Sequence, residues 1–282
     1  MTTQKRVMTI QDISCVGRCS ITVALPILSA AGIETAILPT AILSTHTGDF
    51  TGFTFRDLTE DIQPVADHWK TLDLEFDALY SGFLGSAEQI DTIRRIFREF
   101  KKEKTLILVD PAMADAGKPY KTYTPEMVRR TAELCTMADI IVPNQTEAAL
   151  LLGEEYKGDV KSKEETEALL RKLAALGPKV VVLTGVSFSE SELGAAAYDR
   201  EKDEFSYAFS PRAKGFFHGT GDVFASAFLA SYLRKPDLQT ALETATGFVY
   251  DCVTETIRQG RETRYGVCFE LLIPRLLEYL PE

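Results

Sequence analysis

FDALYSG (76–82), AEQIDTIRRIFREFKKE (87–103) and TLILVD (105–110) stand in succession, and their reading decides the fold. The outer two are short apolar runs of the kind that form buried strands. The middle one places apolar residues three and four apart with charges on the opposite face, the period of a surface helix. A strand, a crossover helix and a second strand form one βαβ unit. The alternation continues outward through RVMTI (6–10) and TAILPT (35–40) on one side, and ADIIVPN (138–144), the helical SKEETEALLRKLAAL (162–176) and KVVVLTG (179–185) on the other. The expected fold class is α/β, with a central, mostly parallel sheet covered by helices on both faces. GAAAYDREKDEFSYAFS (194–210) reads as two strands around a charged turn, and GTGDVFASAFLASYLRK (219–235) as a glycine-rich turn opening an amphipathic helix. VCFELLIPRLLEYL (267–280) reads as a helix that completes the core.

No repeat, low-complexity tract or linker interrupts the 282 residues, so a single domain over 1–282 is the simplest organisation. The formal net charge of −10 argues against nucleic acid as a partner, and Arg94, Lys101 and Lys102 read as a solvated helix face. Trp69 and His68 are placed on a surface helix. No run approaches the ~18 unbroken apolar residues of a membrane helix, and MTTQKRVMTIQD lacks a signal-peptide pattern, so a cytoplasmic protein without membrane contact is expected. Five cysteines, an odd number without paired metal spacings, read as reduced thiols. Cys15 and Cys19 share a loop, but three histidines and no second cysteine pair argue against zinc.

In open α/β sheets ligands gather at the carboxyl ends of the strands. The polar residues that follow the runs are Gln11 and Asp12; Ser44, Thr45, His46 and Thr47; Asp110 and Asp115; Asn144 and Glu147; and Thr184. All would face one cleft. The sharpest signal is Gly219-Thr220-Gly221-Asp222 at the start of a helix, where glycines let backbone N–H groups approach an anion and the helix end adds positive potential. Asp222 in that first turn would stay ionised and accept a proton from a hydroxyl. The four residues alone also fit a plain aspartate at a helix start.

Asp110-Pro111-Ala112-Met113-Ala114-Asp115, Pro143-Asn144-Gln145-Thr146-Glu147-Ala148 and Gly219 to Asp222, in that order, resemble three signatures of the ribokinase-superfamily vitamin kinases. Within that superfamily the chain is most similar to the pyridoxal/pyridoxamine kinases. Thr9-Ile10-Gln11, Ser44 to Gly48 and Gly85 to Gln89 extend the likeness from about residue 6 to about residue 258. The resemblance implies a ribokinase-like three-layer α/β/α sandwich and ATP-dependent phosphorylation of the 5′-hydroxymethyl group of a B6 vitamer. Asp222 would be the general base, with Gly219, Thr220 and Gly221 as the anion hole. Asp110, Asp115, Asn144, Glu147 and Thr184 would bind ATP, and Asp110, Asn144 and Glu147 would hold Mg²⁺, partly through water. Asn144 and Glu147 also fit a helix cap, Thr184 a turn hydroxyl, and Asp110 and Asp115 turn chemistry around Pro111, although two carboxylates there would repel. Around the vitamin the family match places Asp12, Ala41, Leu43, His46, Thr47 and Phe83. For Phe83 a core aromatic fits equally, and for His46 and Thr47 a locally bonded loop does. A homodimer and a monovalent cation are implied by resemblance only.

Many pyridoxal kinases carry serine where this chain has Asp12, a change expected to favour an aminomethyl or aminopyrimidine group over an aldehyde. The family's glycine-rich loop is altered in Val16-Gly17-Arg18-Cys19-Ser20, shorter by about a residue. The alternatives are a hydroxymethylpyrimidine kinase of thiamine synthesis, some of whose relatives have cysteine in place of the base, a sugar or nucleoside kinase, and a non-catalytic nucleotide-binding regulator. The absence of G-x-x-x-x-G-K-[ST] argues against a P-loop kinase.

Overall fold

The computed structural model describes residues 4–282. Its strands are β1 (Arg6–Ser14), β2 (Glu34–Leu43), β3 (Phe55–Asp57), β4 (Ala78–Ser81), β5 (Leu106–Val109), β6 (Ala114–Asp115), β7 (Lys118–Pro119), β8 (Ile140–Ile141), β9 (Val180–Val186), β10 (Glu192–Asp199) and β11 (Glu204–Pro211). The helices are α1 (Ile21–Ala30), α2 (Thr59–Thr71), α3 (Ala87–Phe100), α4 (Pro125–Cys135), α5 (Gln145–Leu151), α6 (Lys163–Ala174), α7 (Thr220–Arg234), α8 (Leu238–Arg258) and α9 (Ile273–Tyr279). One nine-stranded sheet runs β11-β10-β9-β8-β5-β4-β1-β2-β3. From β2 to β9 neighbours are parallel, while β3 and the β10–β11 hairpin close the two edges antiparallel. This is the three-layer α/β architecture expected.

The strand period sorts the core into two layers. Val7, Tyr80, Leu108, Ile140 and Val182 pack against α1, α7, α8 and α9; Met8, Leu79, Ile107, Ile141 and Val181 pack against α2 to α6. Burial of a side chain such as Phe97, Phe228 or Phe248, each fully enclosed, stabilises by about 1.5–3 kcal/mol. Ser86 caps α3 by accepting from Gln89 N–H (3.2 Å), and Ser162 caps α6 from Glu165 N–H (3.1 Å).

Several sequence expectations need correction. β1 does not stop at Ile10 but continues to Ser14, so Gln11 and Asp12 lie within the strand. α7 is buried on all sides from Val223 to Ser231, being wedged between the sheet, α1 and α8, and is not an amphipathic surface helix. Residues 267–280 are not one helix: Val267–Phe269 is a buried irregular stretch, followed by a 3₁₀ turn and the short α9, which Pro274 opens at a position tolerant of proline. Arg94 is paired with Glu133 (2.9 Å) and Lys101 with Asp139, and Trp69 is half-buried against Phe76. Among the described residues no helix is long and apolar enough to cross a membrane, and all five cysteines are free.

Candidate active site

The glycine-rich turn is built by two constraints. Gly219 has φ +75°, and a side chain there would put Cβ 2.0 Å from the Arg18 carbonyl oxygen. Only glycine accepts both. No side chain caps α7, so the first-turn N–H groups are left to a ligand, and the space around Gly221 is open for 4 Å. Thr220 Oγ1 donates to the Phe217 carbonyl at 3.3 Å. Asp222 follows in the first turn, its carboxyl pushed up to about 8 by burial first, then by Asp110 and Asp12, with the Ser20 backbone N–H acting against them. The helix end therefore does not keep Asp222 ionised as expected from the sequence, because burial and the neighbouring carboxylates outweigh it; the carboxyl binds a proton near neutrality and can exchange it with a hydroxyl.

Asp110 continues β5, with its N–H donating to the Ser81 carbonyl (2.9 Å) and its Oδ1 accepting from Ala112 N–H (3.2 Å). Burial and the Glu147 carboxylate hold it well above the usual range. Glu147 is 2 % exposed and accepts three backbone N–H groups: Asn144 (2.9 Å), Met113 (2.9 Å) and Ala114 (3.4 Å). Its carboxyl rises to about 7 because burial outweighs those donors. Asn144 Oδ1 in turn accepts from Glu147 N–H at 2.9 Å, completing a capping box, and Asn144 Nδ2 donates to the Ala114 carbonyl (2.8 Å). The cap and the neighbouring 111–116 loop are therefore one construction. Asp115 sits on the β6–β7 hairpin and accepts from Ala116 N–H (2.7 Å); burial raises its carboxyl above the usual range, and its charge in turn adds to the raising of Glu147, as that of Glu147 adds to Asp110. Thr184 lies inside β9, with its hydroxyl 3.5 Å from the Pro143 carbonyl.

On the other side, a register shift between Gln11 and Ile13 brings Thr40 and Ala41 opposite Asp12. Ala41 and Leu43 are buried on one face of β2, while Ile42 turns outward. Asp12 is 4 % exposed; Ser20 Oγ donates to its Oδ1 (2.5 Å) and Ser14 Oγ to its Oδ2 (2.9 Å). Burial still raises this carboxyl above its usual range. His46 is committed at both ring nitrogens: Nε2 donates to the Arg264 carbonyl at 2.5 Å and Nδ1 accepts from Gly48 N–H at 3.1 Å. Burial lowers its basicity, so it organises the 44–50 loop as a neutral ring. Thr47 is half-buried in the same loop, and Phe83 is half-buried edge-on to Tyr123 at 6.0 Å between centroids.

The carboxyls of Asp12, Asp222, Asp110, Glu147 and Asp115 thus form a series in which each is coupled to a neighbour, so the structure brings all five to one region. The sequence reasoning missed the clasp on the 15–20 loop. Arg18 N–H donates to the Tyr265 carbonyl (3.0 Å), Arg18 Nε pairs with Glu270 (2.6 Å), and a side chain at Gly266 would meet Arg18 Cβ at 2.7 Å. It also missed His218, which pairs with Asp49 (2.8 Å) directly before the anion turn. Among the described residues no three acidic, histidine or cysteine side chains form a ready metal cage.

A model of the phosphomethylpyrimidine kinase family matches residues 27–266. The chain belongs to this family. A Bacteroides thetaiotaomicron protein whose crystal form contains pyridoxal superposes with a TM-score of 0.93 at 36% identity, over 97% of this chain and 96% of that one. Pyridoxal kinase from Lactobacillus plantarum gives 0.88 at 32% identity, over 98% of each chain. Dictyostelium discoideum pyridoxal kinase is 27% identical over 90% of this chain and 87% of its own length. The family is one of kinases.

Proposed function

We propose that the chain, as one kinase domain, transfers the γ-phosphoryl group of ATP to the 5′-hydroxymethyl group of a B6 vitamer. Asp222 in the first turn of the uncapped α7 carries this reading, since binding alone has no need of a base there. The likeness to two pyridoxal kinases and to a protein holding pyridoxal supports the substrate class.

Asp222 takes the proton from the hydroxymethyl oxygen as that oxygen attacks phosphorus, while N–H groups at Gly219, Thr220 and Gly221 receive the charge on the transferring phosphoryl. Thr184 and Asp115 lie on the nucleotide side. Asp110, Asn144 and Glu147 offer oxygen donors of the kind a hard cation takes. Asp110, with Asn144 and Glu147 through water, would hold Mg²⁺, which supplies charge neutralisation for the triphosphate; the three N–H bonds on Glu147 favour the water-mediated form. Asp12, Ala41, Leu43, Thr47 and Phe83 line the acceptor side, with His46 shaping its loop. A homodimer and a monovalent cation belong to the same reading through the family resemblance, and a cytoplasmic setting through the lack of a membrane-length apolar run.

The name of the matching family favours a second reading, phosphorylation of hydroxymethylpyrimidine. Coupled ATP turnover against pyridoxal, pyridoxamine, pyridoxine and hydroxymethylpyrimidine separates the two. Wild type should turn over a B6 vitamer, with kcat/KM rising toward pH 8 as Asp222 ionises in the free enzyme, and Asp222→Asn should lose at least 10³ in kcat. Activity on the pyrimidine alone overturns the vitamer assignment.

A further inference from the structure

Ser20 occupies the cap position of α1 but does not cap it. Its hydroxyl makes no bond to the helix and is donated to Asp12 Oδ1 at 2.5 Å. Its backbone holds φ +54° and ψ −132°, a region that residues with a side chain rarely adopt. A strained backbone persists only where its surroundings over-determine it. Those surroundings are present: Ile13 and Ser20 form an antiparallel bridge, and the Arg18 carbonyl fills the place of a side chain at Gly219. Two residues earlier Arg18 is clasped by Tyr265 and Gly266. So held, Ser20 reaches Asp12 with its hydroxyl from a loop whose Arg18 carbonyl abuts Gly219, three residues before Asp222. The short stretch from Arg18 to Ser20 thus joins the carboxylate on the acceptor side to the turn that carries the base.

We propose that Ser20 is a positioning residue for the phosphoryl transfer, fixing Asp12 and Asp222 as one unit so that the acceptor ring and the base keep a common register. The proposal rests on the reading of Asp222 as the base. An ordinary capping serine would bond to the first turn of its helix, and this one has exchanged that bond for a contact across the site. A small displacement of a base relative to the attacking oxygen lowers turnover without weakening nucleotide binding.

The test uses the full chain and compares kcat, KM and Tm for Ser20→Gly, Ser20→Ala, Asp12→Ser and the Ser20→Gly/Asp12→Ser double variant. Glycine removes the hydroxyl and also relieves the backbone, so Ser20→Gly should keep or raise Tm while losing about tenfold in kcat, with KM for ATP unchanged. Ser20→Ala, which keeps the strain, should lose kcat to the same extent. The double variant should be no slower than Asp12→Ser alone, because both changes cut the same bridge. Wild-type kcat in Ser20→Gly, losses that multiply in the double variant, or a kcat that falls only in step with Tm would each overturn the proposal. A wild type that turns over no vitamer would instead sink the reading beneath it, so the two failures are told apart.

Discussion

The two sides of the cleft are held by opposite means. On the nucleotide side, Asn144 and Glu147 are three residues apart and bond each other, and Glu147 reaches a single loop through Met113 and Ala114. On the acceptor side, the fastenings span the chain: His46 to Arg264 is a separation of 218 residues and Arg18 to Glu270 one of 252. The first side is a local motif with one external anchor. The second exists only once the C-terminal segment has returned to the start of the sheet. Local capping costs little chain entropy to assemble, whereas long-range clasps are made last and are the easier to open. The difference suits a kinase whose nucleotide side stays formed while its acceptor side opens to admit and release a substrate.

Gly219 is where the two sides touch, and it gives the largest expected effect. In Gly219→Ala the new methyl group meets the Arg18 carbonyl at 2.0 Å in a backbone of φ +75°. Either the anion turn or the 15–20 loop must move. We expect kcat to fall about 100-fold and stability by about 2 kcal/mol, read from steady-state turnover and urea unfolding. A near-normal enzyme would mean that the two sides are independent, and the comparison would break.

Glu147→Gln probes the nucleotide side alone. The amide can accept from Met113 and Ala114 but turns an N–H₂ toward the Asn144 N–H, so one half of the capping box is lost. KM for ATP should rise about tenfold with KM for the vitamer unchanged, and stability should fall by about 1 kcal/mol. An equal rise in both KM values would show that the capping box also supports the acceptor side.

What could be read in advance follows the same division. The βαβ alternation, the capping pair Asn144 and Glu147, and the turn at Gly219 are short-range patterns, and each is found where its period or spacing placed it. Other features are products of tertiary contact. That α7 is buried all round depends on α8 and α1 covering it, although the uncharged run 223–233 already carries the mark of a buried helix, which an amphipathic reading overlooks. Ser20 and Arg18 lay in a stretch already marked as unlike the family's loop. Their partners Asp12, Tyr265 and Gly266 could not be assigned without the fold.

Arg18→Ala carries the smallest expected effect and sharpens the comparison most. The Arg18 side chain pairs with Glu270 at 2.6 Å, but the two are 20% and 52% exposed, and such a pair contributes about 0–1 kcal/mol in water. The clasp proper is made by backbone: the Arg18 N–H on the Tyr265 carbonyl, and the Arg18 carbonyl against Gly219. Alanine keeps both and also keeps the Cβ that packs against Gly266. Turnover should therefore change by less than about threefold, and added salt should weaken the wild type's small stability advantage over the variant. A loss approaching that of Gly219→Ala would place the fastening in the exposed ion pair, and the acceptor side would then be held by charge rather than by the fit of two main chains.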